Sequence, residues 1–186
     1  MNAYTAMQSL FEVNACKKQS GFLARLKFFL WCQFLVKKSS HQKRIKSASR
    51  LLRLMNQEDF RTQPGQFFAY LRKVDPFIFE ELLLLAFKAR GCKVLHNAAY
   101  TGDGGIDGTV IFPDKSRWII QAKRYGAHIN LEHVKALGRL VEQQKMRGGI
   151  CIHTGKTGAK VYEHLGRNIL LISGNKLHQF VSCALG

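Results

Sequence analysis

Acidic residues are scarce in this chain: 12 Asp and Glu stand against 29 Lys and Arg, which leaves a formal net charge of +17. A small domain needs a net charge of only about 2–8 to stay soluble. The excess therefore favours a polyanionic partner, either nucleic acid or an anionic membrane surface. The positive charge is spread along the chain, with a net charge of +9 in residues 1–65 and of +8 in residues 66–186.

Cysteine pairs and targeting signals are also missing. The five cysteines form no CxxC pair and do not lie at zinc-ligand spacing with histidine. Their odd number and wide scatter predict small buried side chains in a reducing compartment. The N-terminus has neither a basic segment nor a clean cleavage site of small residues, so no secretory signal is expected. We therefore expect a cytoplasmic protein.

No apolar run is long enough to cross a membrane. The most apolar stretch, residues 21–36, has 16 residues and contains Arg25 and Lys27, whereas a span needs about 20 mostly apolar residues. Two interpretations remain. The favoured one is a helix packed on the rest of the protein or on a partner. The other is an interfacial helix with peripheral membrane contact through residues 21–46, because cations follow the apolar stretch directly.

The clearest break in the chain is Thr62-Gln63-Pro64-Gly65, because Pro-Gly marks a turn. We predict that it separates a basic helical N-terminal region, residues 1–65, from a domain formed by residues 66–186. No internal repeat and no low-complexity tract interrupts either part.

The second part alternates helical and strand patterns. Asp75-Pro76 is a strong helix start, with Asp as the N-cap and Pro at the first helical position, and Gly91 ends that helix. We predict an α/β fold in which a central mixed sheet is covered by helices on both faces. The expected helices are 66–74, 76–90, 131–146, 158–167 and 176–185, and the expected strands are 92–96, 106–112, 117–123, 149–153 and 168–173.

Residues 102–108 place two acids, Asp103 and Asp107, among four glycines where a loop becomes a strand. Glycine lets the backbone approach a ligand closely, so these carboxylates would lie at the rim of the sheet. A tight turn with the acids bonded to local backbone is the alternative. For Asp103 we favour that capping role over metal binding.

Gln121 and Lys123 follow in the next strand and share one face, because alternate residues of a strand point the same way. A lysine inside an apolar strand requires a carboxylate, a phosphate or water. We predict a hairpin with an odd-length connection or a bulge, which pairs position 107 with 123 and puts both on one face. A strand that simply ends in solvent is the alternative.

These motifs carry a resemblance to a known family. Pro76-x-x-Phe79-Glu80, the stretch 102–107 and Gln121-Ala122-Lys123-Arg124 resemble the Mrr-like restriction endonucleases of the PD-(D/E)XK superfamily. The stretch 149–155 and the strand 170–172 are similar to the C-terminal part of the family. The resemblance covers about residues 66–182, and it implies a restriction-endonuclease-like αβββαβ core.

The resemblance also implies a site. Asp107 would be the principal metal-binding carboxylate, Lys123 the motif lysine, and Glu80 the acid on the first core helix. Gln121 stands where most of the superfamily has Asp or Glu, so metal binding is expected to be weak until DNA supplies a phosphate. The implied cofactor is Mg²⁺, with Mn²⁺ as a substitute. The implied reaction is hydrolysis of phosphodiester bonds in double-stranded DNA, in type IV restriction or processing of foreign or modified DNA.

Four further residues are expected to contact the DNA backbone: Arg124, Lys135, Thr154 and Lys156. A homodimer is also expected, since a double-strand break requires two active centres or two visits. No recognition module is evident in residues 1–65, which leaves the target sequence and methylation dependence open. The alternative function is a catalytically inactive nucleic-acid-binding or membrane-associated protein that retains the nuclease fold.

Overall fold

A computed structural model describes residues 40–96, 105–124, 126–163, 165–166 and 168–185 of the chain. The chain divides into two compact units, Met1–His41 and Gln42–Gly186. The features described below belong to the second unit. The apolar stretch 21–36, most of the glycine-rich loop and Asp103 lie outside the described residues.

Among the described residues, four helices precede the sheet. They are α1 (residues 42–55 of a longer helix), α2 (Glu58–Thr62), α3 (Pro64–Leu71) and α4 (Pro76–Ala89). Asp75 caps α4, because its carboxylate accepts from the N–H groups of Phe77 at 2.9 Å and of Ile78 at 3.2 Å. Gly91 follows the helix with a φ of 82°, a conformation that favours glycine. The predicted start and stop of this helix are therefore confirmed.

Five strands form one mixed sheet in the order β1-β2-β3-β4-β5. Their bounds are Lys93–His96, Gly108–Ile111, Arg117–Lys123, Gly148–His153 and Ile169–Ile172. The pairs β1–β2 and β2–β3 are antiparallel, whereas β3–β4 and β4–β5 are parallel. The parallel strands β3 and β4 therefore end at the same edge of the sheet.

Helices cover both faces of this sheet, as the sequence predicts. One face packs in a large hydrophobic cluster with α1, α3, α4 and α7 (Gly174–Ser182). The other packs in a second cluster with α5 (Leu131–Gln143) and α6 (Ala159–Glu163). In the described part of the chain, no helix combines the length and the apolar character that crossing a bilayer demands.

Helices α1 and α2 belong to the same core as the residues that follow them. Ala48, Leu51, Leu52, Met55 and Phe60 are buried in the large cluster, together with side chains from α4 and α7. The division of the chain at residues 62–65 stays a prediction, but residues 42–65 share their core with the later domain.

The β2–β3 hairpin sets the position of the predicted site. Its connection, residues 112–116, has five residues, so the predicted odd length is confirmed. Gly108 pairs with Ile120, which sets position 107 opposite 121 rather than opposite 123. The predicted pairing is therefore wrong by two residues. A register shift of two residues leaves the side chains of positions 107 and 123 on the same face of the sheet, because side chains alternate between the faces with a period of two.

Candidate active site

Asp107 lies directly before β2, at the end of the hairpin that is remote from the connection. Its N–H donates to the carbonyl of Ile120 at 3.0 Å, and its Oδ2 accepts from the N–H of Ala122 at 2.5 Å. The second bond fixes the carboxylate beside the backbone that joins Gln121 to Lys123. Burial raises the pKa of Asp107 to about 6, although the Ala122 N–H and the charge of Lys123 oppose that rise.

Gln121 lies on β3 and is 4% exposed. Its Nε2 donates to the carbonyl of Gly105 at 3.1 Å, so its Oε1 is directed away from that carbonyl. Oε1 is buried and has no hydrogen-bond partner among the described residues. An unsatisfied buried acceptor costs about 1–3 kcal/mol. This oxygen is therefore a candidate ligand atom.

Gly105 supports the Gln121 amide through its backbone. It has a φ of 88°, and a Cβ at this position would lie 2.8 Å from Gln121 Nε2 and 3.8 Å from Lys123 Nζ. A larger residue would collide with the amide and adopt a strained backbone. The close approach also shows that Gln121 and Lys123 lie side by side at the start of β2.

Lys123 is the last residue of β3 and is half-buried. It lies two residues after Gln121, so both side chains leave the strand on one face. No salt bridge involves Lys123 within the ranges that the structure describes. Its positive charge nevertheless lowers the pKa values of Glu80 and Asp107, which places its ammonium within electrostatic range of both carboxyl groups.

Glu80 approaches the group from helix α4. Burial, and after it the negative charge of Asp107, raise its pKa to about 7, whereas the charge of Lys123 opposes that rise. Two partly buried carboxyl groups thus resist ionising together. The structure therefore places Asp107, Gln121 and Lys123 side by side, with Glu80 within electrostatic range of Asp107 and Lys123. These are the four residues that the resemblance assigns to the site.

Glu81, the neighbour of Glu80, is directed elsewhere. It is 3% exposed, and its Oε2 lies 3.1 Å from Nδ1 of His96 on β1. The hydrogen bond to Glu81 raises the pKa of His96 more than burial lowers it. This pair could not be predicted from the sequence, because no sequence pattern links residues fifteen positions apart on a helix and a strand.

Strand β4 adds two buried side chains beside β3, since Cys151 pairs with Gln121 and His153 pairs with Lys123. Burial raises the pKa of Cys151 to about 12, so its thiol stays protonated near neutral pH. Burial lowers the pKa of His153 to about 4, so its ring stays neutral. Thr157 Oγ1 lies 3.2 Å from His153 Nε2 and 2.8 Å from Ser173 Oγ. His153 thus forms part of a neutral polar chain at the end of β4.

The donor set fits a hard divalent cation. Carboxylate oxygens of Asp107 and Glu80 and the Gln121 amide oxygen are the ligand types that Mg²⁺ and Mn²⁺ favour. The unsatisfied Oε1 of Gln121 is the observation that a bound cation would explain.

The predicted DNA contacts fall into different environments. Lys156 is exposed beyond β4, and Lys135 is exposed on α5 with its Nζ 3.0 Å from Glu132. Arg124 follows Lys123 and donates from Nη1 to the carbonyl of Arg72 at 2.8 Å. Thr154 is 1% exposed, so its side chain does not lie where a DNA backbone would touch it.

Arg72 is a further residue near the site that the sequence did not indicate. It follows α3, and its Nη2 donates to the carbonyl of Thr154 at 3.0 Å. Together with the Arg124 bond, this contact ties the segment before α4 to the ends of β3 and β4. The two partners are 82 positions apart in the chain, so no local signal could reveal the contact.

Comparisons with known proteins identify the family of this chain. The profile of the Mrr catalytic-domain family, described as a restriction endonuclease, matches residues 71–181. Fold and match define a nuclease domain with a restriction-endonuclease fold. The chain belongs to the Mrr-type restriction endonuclease family. The resemblance carried by the short motifs of the sequence is thus confirmed.

Among solved structures, the chain is similar to that of the MspJI restriction endonuclease in complex with a 27-mer oligonucleotide. The two are 19% identical, with a TM-score of 0.37, and the match covers 74% of this chain and 30% of that one. No curated protein matches the sequence.

The raised pKa of Glu80 leads to a prediction about stability. A carboxyl group whose pKa is higher in the folded state stabilises the fold at low pH, and this contribution is lost as the pH rises through the folded value. The contribution of Glu80 to stability is therefore lost as the pH rises from 4.5 to about 7. Glu80→Gln should therefore raise the free energy of unfolding at pH 8 by about 1–2 kcal/mol, after discounting for solvent screening. At pH 4 it should change little.

Thermal unfolding in EDTA at pH 4 and pH 8 measures this effect. Glu142→Gln is the matched control, because Glu142 is exposed on α5 and its replacement changes the net charge equally. A Glu80→Gln protein that is no more stable than this control at pH 8 would contradict the electrostatic description of the site.

Proposed function

We propose that this protein is a DNA endonuclease that requires a divalent cation, Mg²⁺ by preference and Mn²⁺ as a substitute. The observation that carries the proposal is the buried Oε1 of Gln121, which has no hydrogen-bond partner in the described ranges and lies beside the fixed carboxylate of Asp107. Family membership supports the nuclease activity, and the family generally uses a divalent metal ion.

Asp107, Gln121 and Glu80 would hold the cation. A bound Mg²⁺ supplies Lewis-acid polarisation of a phosphoryl oxygen and lowers the pKa of water. Asp107 is suited to the principal role, because its Oδ2 is occupied by the Ala122 N–H and its Oδ1 has no hydrogen bond among the described residues. Glu80 would bind after losing its proton, which a nearby cation would favour because its positive charge opposes the effects that raise the pKa of this carboxyl.

Lys123 would act on the substrate. The scissile phosphate gains negative charge as water attacks, and a fixed ammonium stabilises that charge in a partly buried site. Lys123 is suited to this role because it is half-buried and forms no salt bridge in the described part of the chain. The neutral ring of His153 beside it adds no competing positive charge.

Double-stranded DNA is the proposed substrate, and the +17 charge supports binding to its phosphates. Lys135, Lys156 and Arg124 are proposed backbone contacts, with Arg72 added to them. We propose a role in restricting or processing foreign or modified DNA, as in type IV systems. A homodimer and a cytoplasmic location stay predictions.

The test is a cleavage assay on supercoiled plasmid, methylated and unmethylated, with Mg²⁺, Mn²⁺ or EDTA. We expect nicked or linear product with either cation and none in EDTA. Cleavage that persists in EDTA would contradict the metal-dependent mechanism. DNA binding without cleavage under every condition would favour the inactive nucleic-acid-binding alternative. Cleavage confined to methylated plasmid would support action on modified DNA.

A further inference from the structure

Helix α1 carries a row of positively charged side chains that have no role in the candidate active site. Lys43, Lys46, Arg50 and Arg53 are all exposed, and we call them the basic stripe. Their spacing of three, four and three residues places them along one side of the helix, because a turn has 3.6 residues. They span about 15 Å at a rise of about 1.5 Å per residue. Residues 42–56 contain no Asp or Glu.

The stripe has a rigid base. The opposite side of α1 is buried through Ala48, Leu51, Leu52 and Met55. Asn56 fixes the end of the helix, since its Nδ2 donates to the carbonyl of Val181 at 2.9 Å and its Oδ1 accepts from the N–H of Leu185 at 3.0 Å. The cations are therefore presented on a fixed element of the core.

The stripe begins beside the candidate active site. Arg44 follows its first residue, and the Arg44 guanidinium lies 4.2 Å from the centre of the Phe77 ring on α4. Phe77 is one helical turn before Glu80, and the charge of Arg44 reaches Glu80 and lowers its pKa. One end of α1 therefore adjoins the helix that bears Glu80.

A linear row of exposed cations fits a linear polyanion. A strand of duplex DNA carries one phosphate per 3.4 Å of axis, and Lys and Arg that neutralise phosphates give binding that weakens steeply with salt. A helix on a lipid surface inserts its apolar side, but the apolar side of α1 is buried in the core. The chemistry of the stripe therefore favours nucleic acid over a membrane.

We propose that the basic stripe of α1 binds the phosphate backbone of the DNA whose scissile bond lies in the active site. This inference rests on the proposed function, since it takes the same DNA as the partner. It extends the DNA-binding surface to residues 43–53, which precede the segment that matches the family. It also gives a role to part of the region that lacks an evident recognition module.

The test compares two variants of the whole chain, each lacking four cations. One replaces Lys43, Lys46, Arg50 and Arg53 by glutamine. The matched control replaces Lys115, Arg117, Lys145 and Arg147, which are exposed near the starts of β3 and β4, at the opposite end of both strands from Lys123 and His153. Both variants have the same net charge. Binding to a fluorescent DNA duplex is measured in EDTA over a range of salt concentrations, so the readout does not depend on cleavage.

The stripe variant should bind at least about tenfold more weakly than wild type at 0.1 M salt. The slope of log affinity against log salt should fall by about 3 to 4, since each lost phosphate contact removes about 0.9. The control should keep a slope within about 1 of wild type. A third variant that exchanges lysine and arginine within the stripe should keep both the fold and the wild-type slope.

Other results would contradict this inference or the proposed function on which it rests. Equal slopes for the stripe variant and the control would show that the stripe does not bind DNA. Loss of binding to anionic phosphatidylserine vesicles, with DNA binding intact, would assign the stripe to membranes and reject the proposal. A wild-type protein that cleaves plasmid while its stripe variant binds normally would remove this inference alone. A wild-type protein that binds no DNA would remove the proposed function as well.

Discussion

Replacing Asp107 by alanine is expected to lower the rate of plasmid nicking at least about a thousandfold, because several kcal/mol of charge stabilisation depend on the cation it would hold. The loss has a second source in the structure. The carboxylate accepts the Ala122 N–H, so its removal also frees the backbone between Gln121 and Lys123. Initial nicking rates with Mg²⁺ and Mn²⁺ measure the effect.

Asp107→Asn separates these two sources. An asparagine oxygen can still accept the Ala122 N–H, but it carries no charge. We expect nicking to stay about as low as in the alanine variant, with weaker Mn²⁺ binding by calorimetry and unfolding close to wild type. Asp114→Ala is the control, because Asp114 is exposed in the hairpin connection and accepts a hydrogen bond from the N–H of Ser116, away from the site. An Asp107→Asn protein that nicks at the wild-type rate would contradict the assignment of Asp107 as a metal ligand.

Replacing Lys123 by alanine is expected to slow nicking by about 100- to 1,000-fold, the usual cost of removing one group that stabilises developing negative charge. Raising the metal concentration should not restore the rate, because Lys123 is not a proposed ligand. This distinguishes it from Asp107, where more cation should recover part of the loss. A titration of the nicking rate with Mn²⁺ separates the two behaviours.

Lys123 also affects how the carboxyl groups titrate. Its charge lowers the pKa values of Glu80 and Asp107, so its removal should move both upward. Mn²⁺ binding to Lys123→Ala should therefore require a higher pH than binding to wild type. Lys115→Ala is the control, since Lys115 is exposed in the hairpin connection. Unchanged nicking in Lys123→Ala would refute the proposed role of this lysine.

Local rules identified much of the fold. The Asp75 cap, the Gly91 stop and the bounds of β3 follow from short patterns, and the structure agrees with them. The ends of other helices depended on backbone details. The helix predicted over 131–146 ends at Gln143, because Lys145 adopts a φ of 50° and the N–H of Met146 bonds to Val141. A left-handed lysine has no signature that a hydrophobic period could reveal.

The site was predictable in its members but less so in its geometry. Glycines near Asp107 and the spacing of Gln121 and Lys123 identify three residues, and the resemblance adds Glu80. The predicted strand pairing was wrong by two residues, because the N–H of Phe112 donates to the carbonyl of Ser116 and closes the hairpin connection between these two residues. Contacts such as Arg72 with Thr154 join distant parts of the chain, which only the folded structure brings together.

The packing of α1 determines where this protein chain can be truncated. The family profile begins at residue 71, yet Met55 and Phe60 are buried against the helices that flank the sheet. A fragment that starts at residue 66 would leave Phe67, Phe79 and Leu177 without part of their cover, and apolar surface of that kind promotes aggregation. A fragment that keeps this core must therefore include the buried side chains of residues 48–60, well ahead of the region that defines the family.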